Sequence, residues 1–129
     1  MVKILSMFFM FLSASASADC WVAGELIGKS ATSFEGYSFT DDSFKAGMVI
    51  CFEGDSGSVT GNDLTLVRVG ESTLLGLSTT EDGLEVVNTY QIDRANNKLL
   101  FTQTRIGTKA ITSLLPDYAA VFVADVRRR

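Results

Sequence analysis

The chain has 129 residues, with 11 Lys and Arg against 15 Asp and Glu, no histidine, and a net charge of −4 at pH 7. That length suits a single domain. The acidity argues against a nucleic-acid partner, which needs clustered cations, and the missing histidine removes the commonest general base and zinc ligand.

The chain opens with "MVKILSMFFMFLSASASADC". Lys3, an apolar stretch from Ile4 to Leu12, and a small-residue run with Ala16 and Ala18 form a secretory signal peptide over residues 1–18, cleaved before Asp19. The apolar stretch is about nine residues, and a membrane span needs roughly twenty. No transmembrane segment is therefore expected after cleavage. A retained anchor and acylation of Cys20 are the alternatives. Against acylation, Asp19 stands where lipoprotein signals carry a small uncharged residue. None of Asn62, Asn88, Asn96 and Asn97 lies in an Asn-x-Ser/Thr sequon, which suits a bacterial periplasmic or extracellular protein.

Export places the two cysteines, Cys20 and Cys51, in an oxidising compartment, where a structural disulfide is expected. It would staple the mature N-terminus to an internal strand. A redox pair is disfavoured because no C-x-x-C spacing exists.

Residues 19–129 read as one all-β domain. "CWVAGELIG", "FEGYSFT" and "GMVICFE" are candidate strands, followed by a clearer four-strand antiparallel meander from Asn62 to Ile106. In its first strand Leu64 and Leu66 alternate, and Val67 and Val69 shift the phase. In its second, Leu75 and Leu77 share a face. "EDG", residues 81–83, and "RANN", residues 94–97, mark hairpin turns. Thr108 is placed to cap one short helical turn near residues 108–115, ending before Pro116. "AAVFVADV" suits a strand buried on both sides that closes the sheet against an early one. Arg127 to Arg129 form a short basic tail, either solvated or touching an anionic envelope surface. About eight short strands with tight turns predict a small antiparallel barrel or strongly curled meander; a two-sheet β-sandwich is the runner-up.

One stretch invites a chemical reading. "CFEGDSGSV", Cys51 to Val59, contains GDSG at 54–57 and is similar to the string around the nucleophile of trypsin-like serine proteases. In that family a histidine takes the serine proton. Here there is none, Ser58-Val59 replace the family's Gly-Pro, and no lysine has a spacing that places it beside Ser56. The stretch is read as a turn, with Gly54 and Gly57 bending the backbone and Asp55 and Ser56 bonding back to it.

No catalytic residue, metal ligand or cofactor is assigned, and no enzymatic activity is expected. The paired acids Asp41-Asp42, Glu53 with Asp55, and Glu81-Asp82 lack the alternating spacing of a calcium loop, and no two acids stand out as a glycosidase pair. The candidate ligand-binding residues are Tyr90, Asn88, Gln103 and Arg105. Asn88 interrupts the apolar face of Val86 and Tyr90, while Gln103 and Arg105 continue the face of Leu99 and Phe101. Trp21, Tyr37 and Tyr118 are read as core or rim aromatics. A polar group on an inward face must be hydrogen-bonded or hydrated.

Two functions from different classes follow. The first is a non-enzymatic interaction module of the bacterial envelope, monomeric, with a filled interior and an exposed apolar patch or free strand edge. The alternative is a small barrel carrier or sensor of a small, mostly apolar ligand, with a cavity of a few hundred cubic ångströms. The narrow interior of eight short strands favours the first.

Overall fold

The computed structural model describes residues 19–45, 47–107 and 115–129. The leader and, but for Leu115, the expected helical turn at 108–115 lie outside the described residues. Alternation builds what is described. Along residues 85–93, Asn88, Tyr90 and Ile92 are buried while Glu85, Val87 and Gln91 are exposed, the period of a strand with one covered face.

Ten strands follow in order: β1 (Asp19–Ala23), β2 (Leu26–Thr32), β3 (Thr40–Phe44), β4 (Val49–Glu53), β5 (Ser56–Val59), β6 (Asn62–Gly70), β7 (Thr73–Thr79), β8 (Glu85–Asp93), β9 (Lys98–Ile106) and β10 (Tyr118–Arg128). β4 to β10 form a continuous antiparallel meander. β10 then returns to the start of the chain, its C-terminal part pairing with β1 and its N-terminal part with β2. β1 and β2 are thus one stave interrupted at Gly24-Glu25, where the Gly24 N–H donates to the Asp125 carbonyl at 2.9 Å. β3 and β4 make a second bent stave, pairing with β2 and β1 in turn. Counted as staves, the sheet is a closed eight-stranded antiparallel barrel, the first of the expected architectures.

Cys20 and Cys51 face each other directly across β1 and β4 and are joined by the disulfide. The bond lies on the outer surface, because Trp21, Ile50 and Phe52, one residue away on each strand, point inward and are buried.

Several strand-level expectations need correction. The face shared by Leu75 and Leu77 is the outer one; Leu74 is the fully buried residue of β7. Val67 and Val69 do not shift the phase of β6. They stay outside and exposed; the ladder to β7 slips at Arg68–Gly70, and the ladder to β5 slips between Gly57 and Val59. "FEGYSFT" forms a 3-10 turn at Ser33–Glu35, then Gly36 and Tyr37 with positive φ, so β3 begins only at Thr40. β10 is buried on one side, not two: Val121 and Val123 are exposed, since no second layer lies outside a barrel wall. Arg127 and Arg128 belong to β10, and the Arg129 N–H donates to the Cys20 carbonyl at 3.0 Å.

One end of the barrel carries the turns after β4, β6 and β8 together with both described chain ends. It is filled by Trp21, Phe52, Leu74, Ile92 and Leu99. Arg94 lies over the rings of Trp21 and Phe52, Arg68 over Phe52, and Arg128 over Trp21, all at 5.1–5.5 Å. Asp19 accepts from Arg94 at 2.7 Å, Arg128 at 2.9 Å and the Trp21 indole at 3.0 Å. Burial works against ionisation of Asp19, but the two guanidinium groups outweigh it and hold the carboxyl below its ordinary range. Arg68 donates to the carbonyls of Gly54, Gly70 and Glu71. This end is closed, and its polar groups are paired.

Candidate ligand-binding site

The opposite end is not filled. A cavity of about 420 Å³ occupies it. Three local features open this space. The inward positions of β10 and β2 here carry the small residues Ala120 and Ser30. β3 is hydrogen-bonded only to β2 among the described strands. The β5–β6 hairpin turns early, at Thr60-Gly61, and β6 joins β7 only from Leu66 onward. The barrel wall is therefore short between β3 and β6, and the exposed Phe44, Thr60 and Gly61 line the cavity there.

The apolar wall comprises Phe44, Met48, Val59, Leu64, Phe101 and Phe122. Tyr90 stacks on Phe101 with centroids 4.9 Å apart, Phe101 on Phe122 at 6.0 Å, and Phe44 meets Phe122 edge-on at 5.0 Å. The three stacked rings thus form one register row across β8, β9 and β10, with the exposed Phe44 against its Phe122 end.

Six polar side chains break this wall: Asn62, Asn88, Tyr90, Gln103, Tyr118 and Thr60, whose hydroxyl accepts from the Val49 N–H at 2.8 Å. Asn62 is fixed by its own backbone, its Oδ1 accepting from the Leu64 N–H at 2.8 Å while its Nδ2 donates to the Tyr90 hydroxyl at 2.7 Å. Accepting that bond leaves the Tyr90 proton free to be donated. Asn88 is only 3% exposed, and its Oδ1 has no hydrogen-bond partner among the described residues. Gln103 lies directly opposite Asn88 in the β8–β9 ladder and also faces inward.

Burial pushes the Tyr90 phenol above its ordinary value, and the neighbouring amides of Asn62 and Asn88 pull the other way. Burial, then the Asp42 charge, raises Tyr118, against a hydrogen bond from Ser30 and the charge of Arg105. Both phenols are neutral at physiological pH. Among the described residues no charged side chain lines the cavity.

Of the four residues singled out in the sequence, Tyr90, Asn88 and Gln103 come together on this wall and Arg105 does not. The Arg105 guanidinium donates to the Pro116 carbonyl at 3.1 and 3.3 Å and lies over the Tyr118 ring at 5.3 Å. Trp21 belongs to the closed end. Tyr37 is exposed on the β2–β3 connection, its hydroxyl donating to Asp117 at 3.1 Å. Sequence reasoning missed Asn62 and Phe44. The "TGND" turn before β6 was a usable signal for Asn62, whereas Phe44, in the polar stretch "TDDSFK", carried none.

GDSG sits at the closed end, across the barrel from the cavity. Gly54 takes φ of 56°, and the Ser56 hydroxyl donates to the Glu53 carbonyl at 3.2 Å. The Asp55 carbonyl accepts from the Arg68 N–H at 2.9 Å. Gly57 faces inward, where a Cβ would meet the Cys51 carbonyl at 2.4 Å and Leu74 at 2.6 Å. The turn is therefore Gly54-Asp55 alone; Ser56 and Gly57 already belong to β5, and Gly57 is required by close packing and not by the bend. Among the described residues no three His, Cys, Asp or Glu side chains converge to hold a metal ion, and no helix is long and apolar enough to cross a membrane.

The chain matches no protein-family profile, no curated protein and no solved structure. Functional argument therefore rests on the site itself.

Proposed function

We propose that this is an exported, non-enzymatic barrel that carries or senses one small, mostly apolar ligand in the cavity described above. The single observation behind this is the Asn88 carboxamide: its buried oxygen has no hydrogen-bond partner among the described residues and faces about 420 Å³ of largely apolar space. Leaving such a group unsatisfied costs about 1–3 kcal/mol, which a leucine at the same position would avoid. A ligand that fills the cavity and donates to Asn88 recovers that cost. An eight-stranded barrel is wide enough for one such molecule, and pockets of a few hundred cubic ångströms are usual for small ligands. The leader sequence and the disulfide support export.

Native mass spectrometry of the protein purified from its own cell envelope tests this. A retained small molecule is expected, lost on denaturation. A bare chain that also takes up no apolar probe would overturn the proposal.

A second reading, an envelope interaction module, is favoured by the outer surface. Ile27, Val123 and Leu100 lie in one register row across β2, β10 and β9, and all are exposed, while β3 offers a free edge among the described strands. It predicts a co-purifying envelope protein that is lost in Val123→Lys. In both readings the protein is a monomer with no nucleic-acid partner.

A further inference from the structure

Resting on the ligand-binding reading, we infer that the ligand is a neutral, flat molecule presenting an amide-type edge, one hydrogen-bond donor beside one acceptor, to Asn88 and Gln103. These two residues are direct cross-strand partners on β8 and β9, and both face the cavity. Directly opposed side chains start about 5 Å apart at Cβ, so two carboxamides there share one recognition surface. Asn88 Oδ1 is unpaired, and Gln103 makes no side-chain hydrogen bond to any described residue. Each carboxamide carries one acceptor and one donor group, so the pair offers both whichever way each amide is turned. The complement is a group with the same two functions side by side, such as a lactam.

Neutrality follows from the wall. Among the described residues no charged side chain lines the cavity, and Arg105, the nearest inward cation on β9, is committed to the Pro116 carbonyl. A carboxylate or ammonium entering here would lose its hydration with no counter-charge. Flatness follows from the amide edge itself, which is planar; Phe101, two residues from Gln103 and stacked between Tyr90 and Phe122, adds apolar surface beside it. The volume of about 420 Å³ equals about fourteen waters at roughly 30 Å³ each, a bicyclic ring system rather than a long lipid chain.

Four probes of nearly one shape test this by calorimetry and by the side-chain amide NMR signals of Asn88 and Gln103. They are 2-quinolinone, N-methyl-2-quinolinone, naphthalene and 2-naphthoate. We expect 2-quinolinone to bind at least about tenfold more tightly than its N-methyl analogue or 2-naphthoate, shifting both amide signals. Asn88→Leu should erase that preference while still binding naphthalene, which shows that the barrel and its cavity persist. Equal binding of 2-quinolinone and its N-methyl analogue, or tighter binding of 2-naphthoate, overturns the amide-edge inference and leaves the ligand-binding reading standing. If none of the four binds, naphthalene included, both fall together.

Discussion

The two ends of this barrel are built from the same strands, yet they solve the burial of polar groups in opposite ways. At the closed end, Asp19 is met by two arginines and an indole, Arg68 bonds three turn carbonyls, and guanidinium planes cover Trp21 and Phe52. At the open end, Asn88 is more deeply buried than Asp19, and its oxygen has no partner among the described residues. The difference teaches where pairing stabilises the fold and where the proposed function would act. A fully paired network adds rigidity, whereas an acceptor left unpaired by the protein costs stability and persists only if something else requires it.

That comparison can be broken most directly at the closed end. Phe52→Ala removes a buried ring beneath Arg68 and Arg94 and should cost about 3–5 kcal/mol in urea unfolding, whereas Val86→Ala at the cavity wall should cost less than about 1 kcal/mol. Equal losses at the two sites would show that the open end is packed as tightly as the closed one. Reducing the Cys20–Cys51 bond, which closes a loop with a sequence separation of 31, should lower stability by roughly 3–4 kcal/mol. The difference would be read from unfolding midpoints with and without reductant.

The GDSG turn gives a sharper pair. Gly57→Val drives a side chain into the Cys51 carbonyl and Leu74 and should cost about 1–3 kcal/mol. Ser56→Ala removes only an exposed bond to a carbonyl and should stay within about 0.5 kcal/mol. A large effect of Ser56→Ala on any measured property would contradict the assignment of this stretch as a turn. At the open end the sign should reverse. Asn88→Leu replaces an unsatisfied acceptor and should raise the thermal midpoint, by an amount equivalent to about 1 kcal/mol, while weakening ligand uptake. A destabilised Asn88→Leu protein would mean that Asn88 is structurally satisfied.

The smallest effect is in acid. The folded-state carboxyl of Asp19 titrates below its ordinary value of 3.8, so its contribution is fully present above that value. It is lost as pH falls through the lower folded-state value. Asp19→Asn should flatten the stability profile in this window and leave it unchanged near neutrality in shape. A profile that keeps its full acid slope would place the responsible carboxylate elsewhere.

Much of this arrangement was legible in advance, for a physical reason. The meander from Asn62 to Ile106 was readable because hairpin pairing is local and its turns carry glycine or asparagine: Gly83 and Asn97 both take positive φ. The inward direction of Asn88, Gln103 and Tyr90 was readable because strand side chains alternate with period two. Where apolar residues fell on both faces, as in β7 and β10, the period could not say which face was inside. Leu74 and Leu75 are the same residue type, and only the curvature of the wall decides that Leu74 is the buried one.

What the sequence determined by itself is therefore the alternation, the turns, the cysteine pair and the polar residues that break the apolar faces, all of them set by neighbours along the chain. What only the tertiary structure decided is closure. Pairing β10 with both β1 and β2 sets the hand of every face, buries Asn88 without a partner, and turns Arg105 away from the cavity towards Pro116. Those outcomes depend on contacts between residues about a hundred positions apart, and their geometry is fixed by the shape of the closed sheet rather than by any local propensity.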